Sequence, residues 1–452
     1  MEEYLAGPIK ERIFLLIAAI LLALCTLQLA NFVDQREVGF FVAGALFSGL
    51  IYLAAIVFVL KRPGGTGTLV FVLAVAVLLR LLSMTGEPNL TSDALRYVWD
   101  GRLGWDGINP YLYVPADEHL AHLRDTAIYP GINQKEHAVT IYPPVAQLIF
   151  MAGVAIENGI GGMKAVMFLC EVLTVIGLLG WLRCEGLPLS RVIIYAWHPL
   201  PIWEFSSQAH IDAAATALIT LGIWAAISRR QGLVGALFAG AALVKYFPLV
   251  LLPALWRRWD WKLPAALFGA MAFLYLPYAI SAGTRVFGFL GQHLDNEGYS
   301  AGWGFHLVWY LRDLELADPP GWLYMIAALA VILSIAVWAV FARDADEFLP
   351  RRLVLLGAAF VFLISPHYPW YFGFLCALMV RVAHPALFAM TLLSFSLYLP
   401  RIDGISWSHL YALTYVLPVL IWAFWEALRR YVPVAASLDQ LFAPSSSPAK
   451  RL

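Results

Sequence analysis

Long apolar segments dominate this sequence and restrict what it can fold into. They include residues 13–30, 38–60, 163–182 and 322–342, each close to or above the roughly 20 residues that a helix needs to cross a bilayer. Hydrophobic residues make up 61% of the chain and charged residues 13%, about half the charged fraction of an ordinary soluble domain. These features predict an all-α, polytopic membrane protein, because a helix satisfies its own backbone hydrogen bonds in lipid.

The positions of lysine and arginine predict which loops face the cytoplasm, because short basic loops remain on that side. Residues 144–156 are apolar but too few to span, so we expect them to lie along the outer surface. With the amino terminus inside, every basic loop then faces the cytoplasm, and about 14 crossings are predicted. The predicted spans are residues 13–33, 38–60, 68–84, 163–182, 191–205, 210–228, 231–244, 247–256, 263–281, 320–342, 352–366, 370–381, 385–400 and 407–428.

Several functional classes lack support in the sequence. The formal net charge is zero, so no nucleic-acid partner is expected. The four cysteines show no CxxC spacing, so we expect neither a disulfide nor a metal site from them. No Walker, GxSxG or HExxH motif occurs, which leaves nucleotide hydrolysis, serine hydrolysis and zinc proteolysis without a sequence signal.

A group of polar residues follows the third predicted span. Asp93, Arg96, Tyr97 and Asp100 are spaced by three and four residues and therefore share one face of a helix. A carboxylate on such a face can act as a general base. The structural alternative is that Ser92 or Asp93 caps a surface helix.

Two further polar sites interrupt apolar segments. His210 and Asp212 stand between two predicted spans, where their alternative role is to cap the helix that follows. Lys245 lies in an apolar hairpin before Pro248, with no acid close to it in the sequence. A buried ammonium is unfavourable, so either an anion meets Lys245 or its side chain reaches the membrane interface.

The segment after the span 352–366 combines a histidine with aromatic residues: His367, Tyr368 and Trp370. An aromatic belt at the membrane surface explains such rings as well as a ligand does. Aromatic faces also suit sugar rings, basic side chains suit a phosphate that gains charge as it leaves, and a groove in the membrane suits a lipid chain.

These motifs resemble the GT-C integral membrane glycosyltransferases, which use polyprenyl-phosphate sugars. Asp93-x-x-Arg96-Tyr97 after an early span resembles a segment of the aminoarabinose transferases. The segments 191–212 and 244–248 resemble glycosyltransferase family 87 and related mannosyltransferases, and residues 93–113 and 140–144 look closest to the bacterial polyprenyl-phosphate-mannose-dependent mannosyltransferases. The chain departs from the pattern because two spans, rather than one, precede the span that leads to Asp93.

The resemblance implies a function and a set of site residues. A sugar, with mannose favoured, would pass with inversion from a polyprenyl-phosphate donor to a hydroxyl of a glycan or glycolipid. Asp93 would be the catalytic base, with Lys245 and Arg96 holding the donor phosphate. Further substrate contacts are expected from Tyr97, Asp100, His210, Asp212, His367, Tyr368 and Trp370. No metal or other cofactor is expected, because the predicted periplasmic loops contain no Asp-x-Asp metal motif.

The resemblance also implies a location and an organisation. The protein would be a multi-pass protein of the bacterial inner membrane, in contact with the lipid bilayer and with a periplasmic active site. Its predicted parts are two amino-terminal spans (1–67), a catalytic module (68–381) with periplasmic loops at 85–162 and 282–319, carboxy-terminal spans (382–442) and a disordered tail (443–452). The alternative is a transporter or flippase of lipid-linked sugars, but the unusual polar residues concentrate on one side and no repeat is visible.

Overall fold

A computed structural model describes residues 2–341, 349–401 and 405–442, with side chains described from residue 13 onward and, in the second segment, up to residue 400. The described residues contain helices and no β-strand, so the all-α prediction is confirmed. The predicted tail, 443–452, lies outside the described residues. The helices are α1 (Glu2–Asp34), α2 (Val38–Lys61), α3 (Thr66–Ser83), α4 (Asp93–Trp105), α5 (Pro144–Ile156), α6 (Ile160–Cys184), α7 (Ile193–Ala196), α8 (Pro199–Pro201), α9 (Asp212–Ile227), α10 (Gln231–Ala242), α11 (Leu252–Leu255), α12 (Lys262–Ala282), α13 (Leu290–Asn296), α14 (His306–Asp313), α15 (Gly321–Phe341), α16 (Leu349–Ile364), α17 (Gly373–Leu378), α18 (Pro385–Leu393), α19 (Trp407–Tyr411), α20 (Leu417–Tyr431) and α21 (Pro433–Phe442).

Seven helical segments in the described part are long and apolar enough to cross a membrane. They are Ile13–Asp34, Val38–Lys61, Thr66–Ser83, Ile160–Cys184, Lys262–Asn296, Gly321–Phe341 and Trp407–Tyr431. Shorter apolar helices occur at Pro144–Ile156, Asp212–Ile227, Gln231–Ala242, Pro369–Leu378 and Pro385–Pro400. The chain is therefore a polytopic membrane protein, while the arrangement with about 14 crossings stays a prediction.

Two predicted spans are broken rather than continuous. The span 191–205 consists of a 3₁₀ turn at Leu189–Val192, the short helices α7 and α8, and a π-helical turn at Ile202–Ser207. Prolines at 199 and 201 remove backbone donors that a longer helix would use. The span 247–256 is a 3₁₀ turn, Phe247–Leu251, followed by α11. Such broken backbone at membrane depth is tolerated where protein or a wet cavity covers it.

The three amino-terminal helices are built into the main hydrophobic core. In α2, Phe41 packs edge-to-face on Trp203, with ring centroids 5.2 Å apart, and the Tyr52 hydroxyl donates to the Ile194 carbonyl at 2.5 Å. Trp197 donates its indole N–H to the carbonyl of Val72 in α3 at 2.9 Å. Helices α2 and α3 thus contact and support the broken segment 189–207.

Helix α4 lies directly on α5. Tyr97 stacks on Phe150 with ring centroids 4.5 Å apart, and a Cβ at Gly101 would lie 2.5 Å from the Phe150 carbonyl oxygen. Only glycine permits this close approach of the two backbones. Helix α5 has 13 residues, as the sequence predicts. Its contact with α4 places Asp93, the first residue of α4, near Tyr142 and within electrostatic range of Lys245 and Asp212.

Candidate active site

Asp93 is placed by the first turn of α4. Its backbone N–H donates to the Thr91 hydroxyl at 3.2 Å, and Ser92 makes no side-chain capping bond, so Ser92 does not cap the helix. The hydroxyls of Tyr97 and Tyr142 each lie 3.5 Å from Oδ2 of Asp93. Among the described residues, the side chain of this partly buried carboxylate therefore has only long hydrogen bonds, which leaves it available to a further donor.

The surroundings of Asp93 change its acidity. Burial raises the pKa of Asp93, and the positive charge of Lys245 opposes that rise. The negative charge of Asp212 raises the pKa further. Burial also raises the pKa values of Tyr97 and Tyr142 well above their ordinary range, so both phenols remain donors at neutral pH. A carboxylate with a raised pKa is suited to accept a proton.

Lys245 has an acidic partner, contrary to what its surroundings in the sequence indicate. Its Nζ lies 2.6 Å from Oδ2 of Asp212, at the start of α9, and 4.4 Å from the ring centroid of Tyr371. Asp212 is thus an anionic partner for Lys245, because the fold brings α9 against the end of α10, while binding of a phosphate by Lys245 stays a prediction. Oδ1 of Asp212 is buried with no hydrogen-bond partner among the described residues.

His210 is held in one orientation. Its Nδ1 lies 3.0 Å from the Glu204 carbonyl and 3.2 Å from the Glu204 carboxylate, and two acceptors at one nitrogen require that Nδ1 carries the proton. The Tyr398 hydroxyl donates to the same carboxylate at 2.8 Å. The residue before it, Ala209, has a φ of 58°, a left-handed conformation that is uncommon for alanine and is often found at functional sites.

Stacked rings connect His210 to a cavity. The His210 ring stacks on Trp370 with centroids 3.9 Å apart, and Trp370 stacks on Tyr368 at 4.5 Å. The Tyr368 hydroxyl donates to Glu297 at 3.1 Å. His367 approaches the same carboxylate through Nδ1 at 3.1 Å and the Gly304 carbonyl through Nε2 at 3.0 Å. Three residues predicted from one short segment therefore form one wall.

The cavity beside this wall has a volume of about 430 Å³. Its polar end contains His293, Glu297, His367, Tyr368 and Tyr371, and its other end is apolar. Burial opposes ionisation of Glu297, but the hydrogen bond and charge of His367 lower its pKa below the ordinary value. Glu297 therefore offers an ionised acceptor to a polar ligand. The ring of Tyr371 lies between this cavity and Lys245.

Arg96 and Asp100 are engaged with each other. Arg96 Nε lies 2.8 Å from Oδ1 of Asp100, and Arg96 also donates to the Ala138 carbonyl at 3.0 Å. Oδ2 of Asp100 accepts from the Thr140 hydroxyl at 2.6 Å. These contacts attach the segment before α5 to α4. The expected roles of Arg96 in phosphate binding and of Asp100 in substrate binding stay predictions, and the observed partners give both residues a positioning role.

Sequence reasoning missed three participants. Tyr142 and Glu204 contact predicted site residues directly, and Glu297 contacts His367 and Tyr368. The signal for Glu297 was its place in a polar run of the predicted external loop, four residues after His293. Glu204 had a weaker signal, an acid within an apolar span. No group of three or more His, Cys, Asp or Glu side chains in the described part could hold a metal ion.

One comparison with known proteins gives a match. The family model described as glycosyltransferase family 87 matches residues 140–366, half of the chain. The matched segment includes Tyr142, Asp212, Lys245 and Glu297, while Asp93 precedes it. No curated protein and no solved structure matches the chain.

Proposed function

The chain belongs to glycosyltransferase family 87, and from this premise we propose that it transfers a sugar from a polyprenyl-phosphate donor to an acceptor hydroxyl, with Asp93 as the general base. The observation that carries the proposal is the position of Asp93: a partly buried carboxylate within electrostatic range of the Lys245–Asp212 pair. A base and a cation near each other meet the two needs of this reaction. Membership of a transferase family favours the enzyme over a transporter.

The proposed reaction is a single displacement. Asp93 takes the proton of the acceptor hydroxyl while the acceptor oxygen forms a bond to the anomeric carbon of the sugar. The bond from that carbon to the phosphate oxygen breaks, and polyprenyl phosphate leaves with the electron pair. Attack opposite to the leaving group inverts the anomeric configuration. The proton remains on Asp93 until solvent or the released phosphate accepts it.

Lys245 is assigned to the leaving phosphate. Asp212 satisfies the ammonium at 2.6 Å, which avoids an unpaired buried charge. A donor phosphate would join Asp212 around the same Nζ, since an ammonium has three donor hydrogens. Asp212 then orients Lys245, and Arg96 would contribute only if its bond to Asp100 opened.

The cavity wall is assigned to the sugar or the acceptor. Ionised Glu297 can accept hydrogen bonds from sugar hydroxyls, and Tyr368, which lines the cavity, offers an aromatic surface for a sugar ring. Trp370 is stacked between His210 and Tyr368 and supports that surface. His367 contacts the Glu297 carboxylate and so helps to hold it in place. Mannose is the favoured sugar and a glycan or glycolipid the favoured acceptor, with the reaction on the periplasmic face of the inner membrane.

A donor panel tests the proposal. Purified protein in lipid nanodiscs would be incubated with polyprenyl-phosphate mannose, glucose, galactose and arabinose together with a membrane extract as acceptor. We expect loss of one donor with release of polyprenyl phosphate, and no loss with the Asp93→Asn variant. Consumption of none of these donors, or movement of a donor across the bilayer without cleavage, would contradict the proposal.

A further inference from the structure

A second cavity lies further along α15 from the candidate site. It has a volume of about 460 Å³, is open on one side, and is lined by residues of α11, α12, α15 and the segments next to α11. Its lining is apolar apart from Arg258, whose guanidinium lies 5.6 Å from the ring centroid of Phe341 at the end of α15. We call this space the distal cavity and the one beside Glu297 the proximal cavity.

The two cavities are adjacent, and the same two walls line both of them. On α15, the proximal cavity is lined by Leu329 and Ile332, and the distal cavity begins at Leu333 and continues to Phe341. Residues three and four apart share a helix face, so these positions form one stripe. The twelve residue-to-residue steps of helix from Leu329 to Phe341 correspond to about 18 Å.

The opposite wall shows the same order. The segment Phe247–Leu251 and α11 contribute Phe247 and Val250 to the proximal cavity, and Leu249, Leu252 and Pro253 to the distal one. Neighbouring residues of one short segment therefore line both spaces. An apolar groove thus starts at the polar end that contains Glu297 and runs away from the candidate site.

We propose that the distal cavity holds the far part of the apolar chain of the lipid-linked donor and so makes the protein select long chains. The inference rests on the proposed function, because it takes the donor phosphate to lie near Lys245. The occupant follows from continuity: a chain attached to a phosphate there has the proximal cavity as its first apolar contact and the distal cavity as its next. The distal cavity then contributes affinity only to chains long enough to reach it.

Chain selectivity can be measured by binding, without knowledge of the sugar. The probes are undecaprenyl phosphate and citronellyl phosphate, which share a phosphate and differ in chain length. Purified full-length protein in nanodiscs should bind the long probe more tightly. If the wild-type protein binds both equally, or binds neither, the inference is wrong.

Two valines of α15 provide a matched pair of variants. Val337 lines the distal cavity and is 49% exposed, whereas Val331 lines neither cavity and is 47% exposed. Val337→Trp should fill part of the cavity and weaken binding of the long probe roughly tenfold, which corresponds to losing the burial of about two methylene groups. It should leave the short probe unaffected, and Val331→Trp should leave both affinities unchanged. An equal effect of Val337→Trp on both probes, or no effect, would overturn the inference.

A second pair of variants, on α12, shortens a side chain instead of enlarging one. Neither substitution should disturb folding, because both side chains are largely exposed. Phe268 lines the distal cavity and is 67% exposed, and Phe273 does not line it and is 74% exposed. Phe268→Ala should weaken the long probe selectively, and Phe273→Ala should not. Long-chain selectivity without transfer of any sugar would refute the proposed function and leave this inference standing, so the two failures are distinguishable.

Discussion

Lys245 and Asp212, which are 33 positions apart in the sequence, meet at 2.6 Å, within electrostatic range of Asp93. The pair predicts different results for substitutions of the two partners. Lys245→Ala should weaken binding of undecaprenyl phosphate roughly ten- to hundred-fold, because a charge-assisted hydrogen bond contributes about 1.5–3 kcal/mol. Lys245→Arg should retain part of the affinity. Binding of undecaprenyl phosphate to Lys245→Ala with the wild-type Kd would show that the phosphate is held elsewhere, with Arg96 the next residue to test.

The same pair gives a prediction for Asp212. Asp212→Asn leaves Lys245 charged but removes its nearest acid, so the phosphate should bind as tightly as before or more tightly. Turnover should fall, because Lys245 loses the partner that orients it. A Kd for undecaprenyl phosphate that rises as much as in Lys245→Ala would indicate that Asp212 serves only to keep the region folded.

The raised pKa of Asp93 predicts the pH dependence of turnover. A general base acts only when ionised, so kcat/KM should fall as pH decreases through the pKa of Asp93. Because burial raises that pKa, the fall should begin at a higher pH than for an ordinary aspartate. This is tested by measuring kcat/KM with a single donor between about pH 4 and 8, a range that includes the ordinary carboxyl pKa values and higher ones. Activity that increases toward low pH would contradict the role of Asp93 as base.

A buried ion pair between α3 and α6 should stabilise the fold. Arg80 lies 2.7 Å from Glu171, and both are almost fully buried. Glu171→Ala leaves the arginine uncompensated and should lower the free energy of unfolding by about 3–5 kcal/mol. The exposed pair Arg124–Glu118 is the control, since Glu118→Ala should cost less than about 1 kcal/mol. Equal losses in denaturant titrations of the two variants would contradict this account.

The predicted membrane arrangement has a test at the end of α5. Asn158 is exposed, and its side chain accepts a hydrogen bond from Arg102 at 2.7 Å. A cysteine at this position in a background without the native cysteines should react with a membrane-impermeant maleimide in intact spheroplasts. Reaction only after permeabilisation would place Asp93 on the cytoplasmic side and contradict a periplasmic site.

The extent to which the sequence predicts this molecule depends on the distance between interacting residues. Apolar runs predict the long helices, and the spacing of Asp93 and Tyr97 predicts their shared face, because both features depend on local geometry. The contact of Lys245 with Asp212, and that of Glu204 with His210, arise from how α9 and its neighbours pack. The breaks in the segment 191–205 were also missed, since a run of apolar residues does not distinguish one helix from several short turns.

The role of Asp93 as general base is tested most directly by the turnover of Asp93→Asn with the donor that the wild-type protein consumes. Asparagine keeps the size of aspartate and can still meet the hydroxyls of Tyr97 and Tyr142, but it cannot take a proton. We expect kcat of Asp93→Asn to be about 10²–10⁴-fold lower than that of the wild-type protein, with an unchanged Kd for undecaprenyl phosphate. A kcat within about twofold of the wild-type value, well short of what loss of a general base costs, would contradict the assignment of Asp93 as the base.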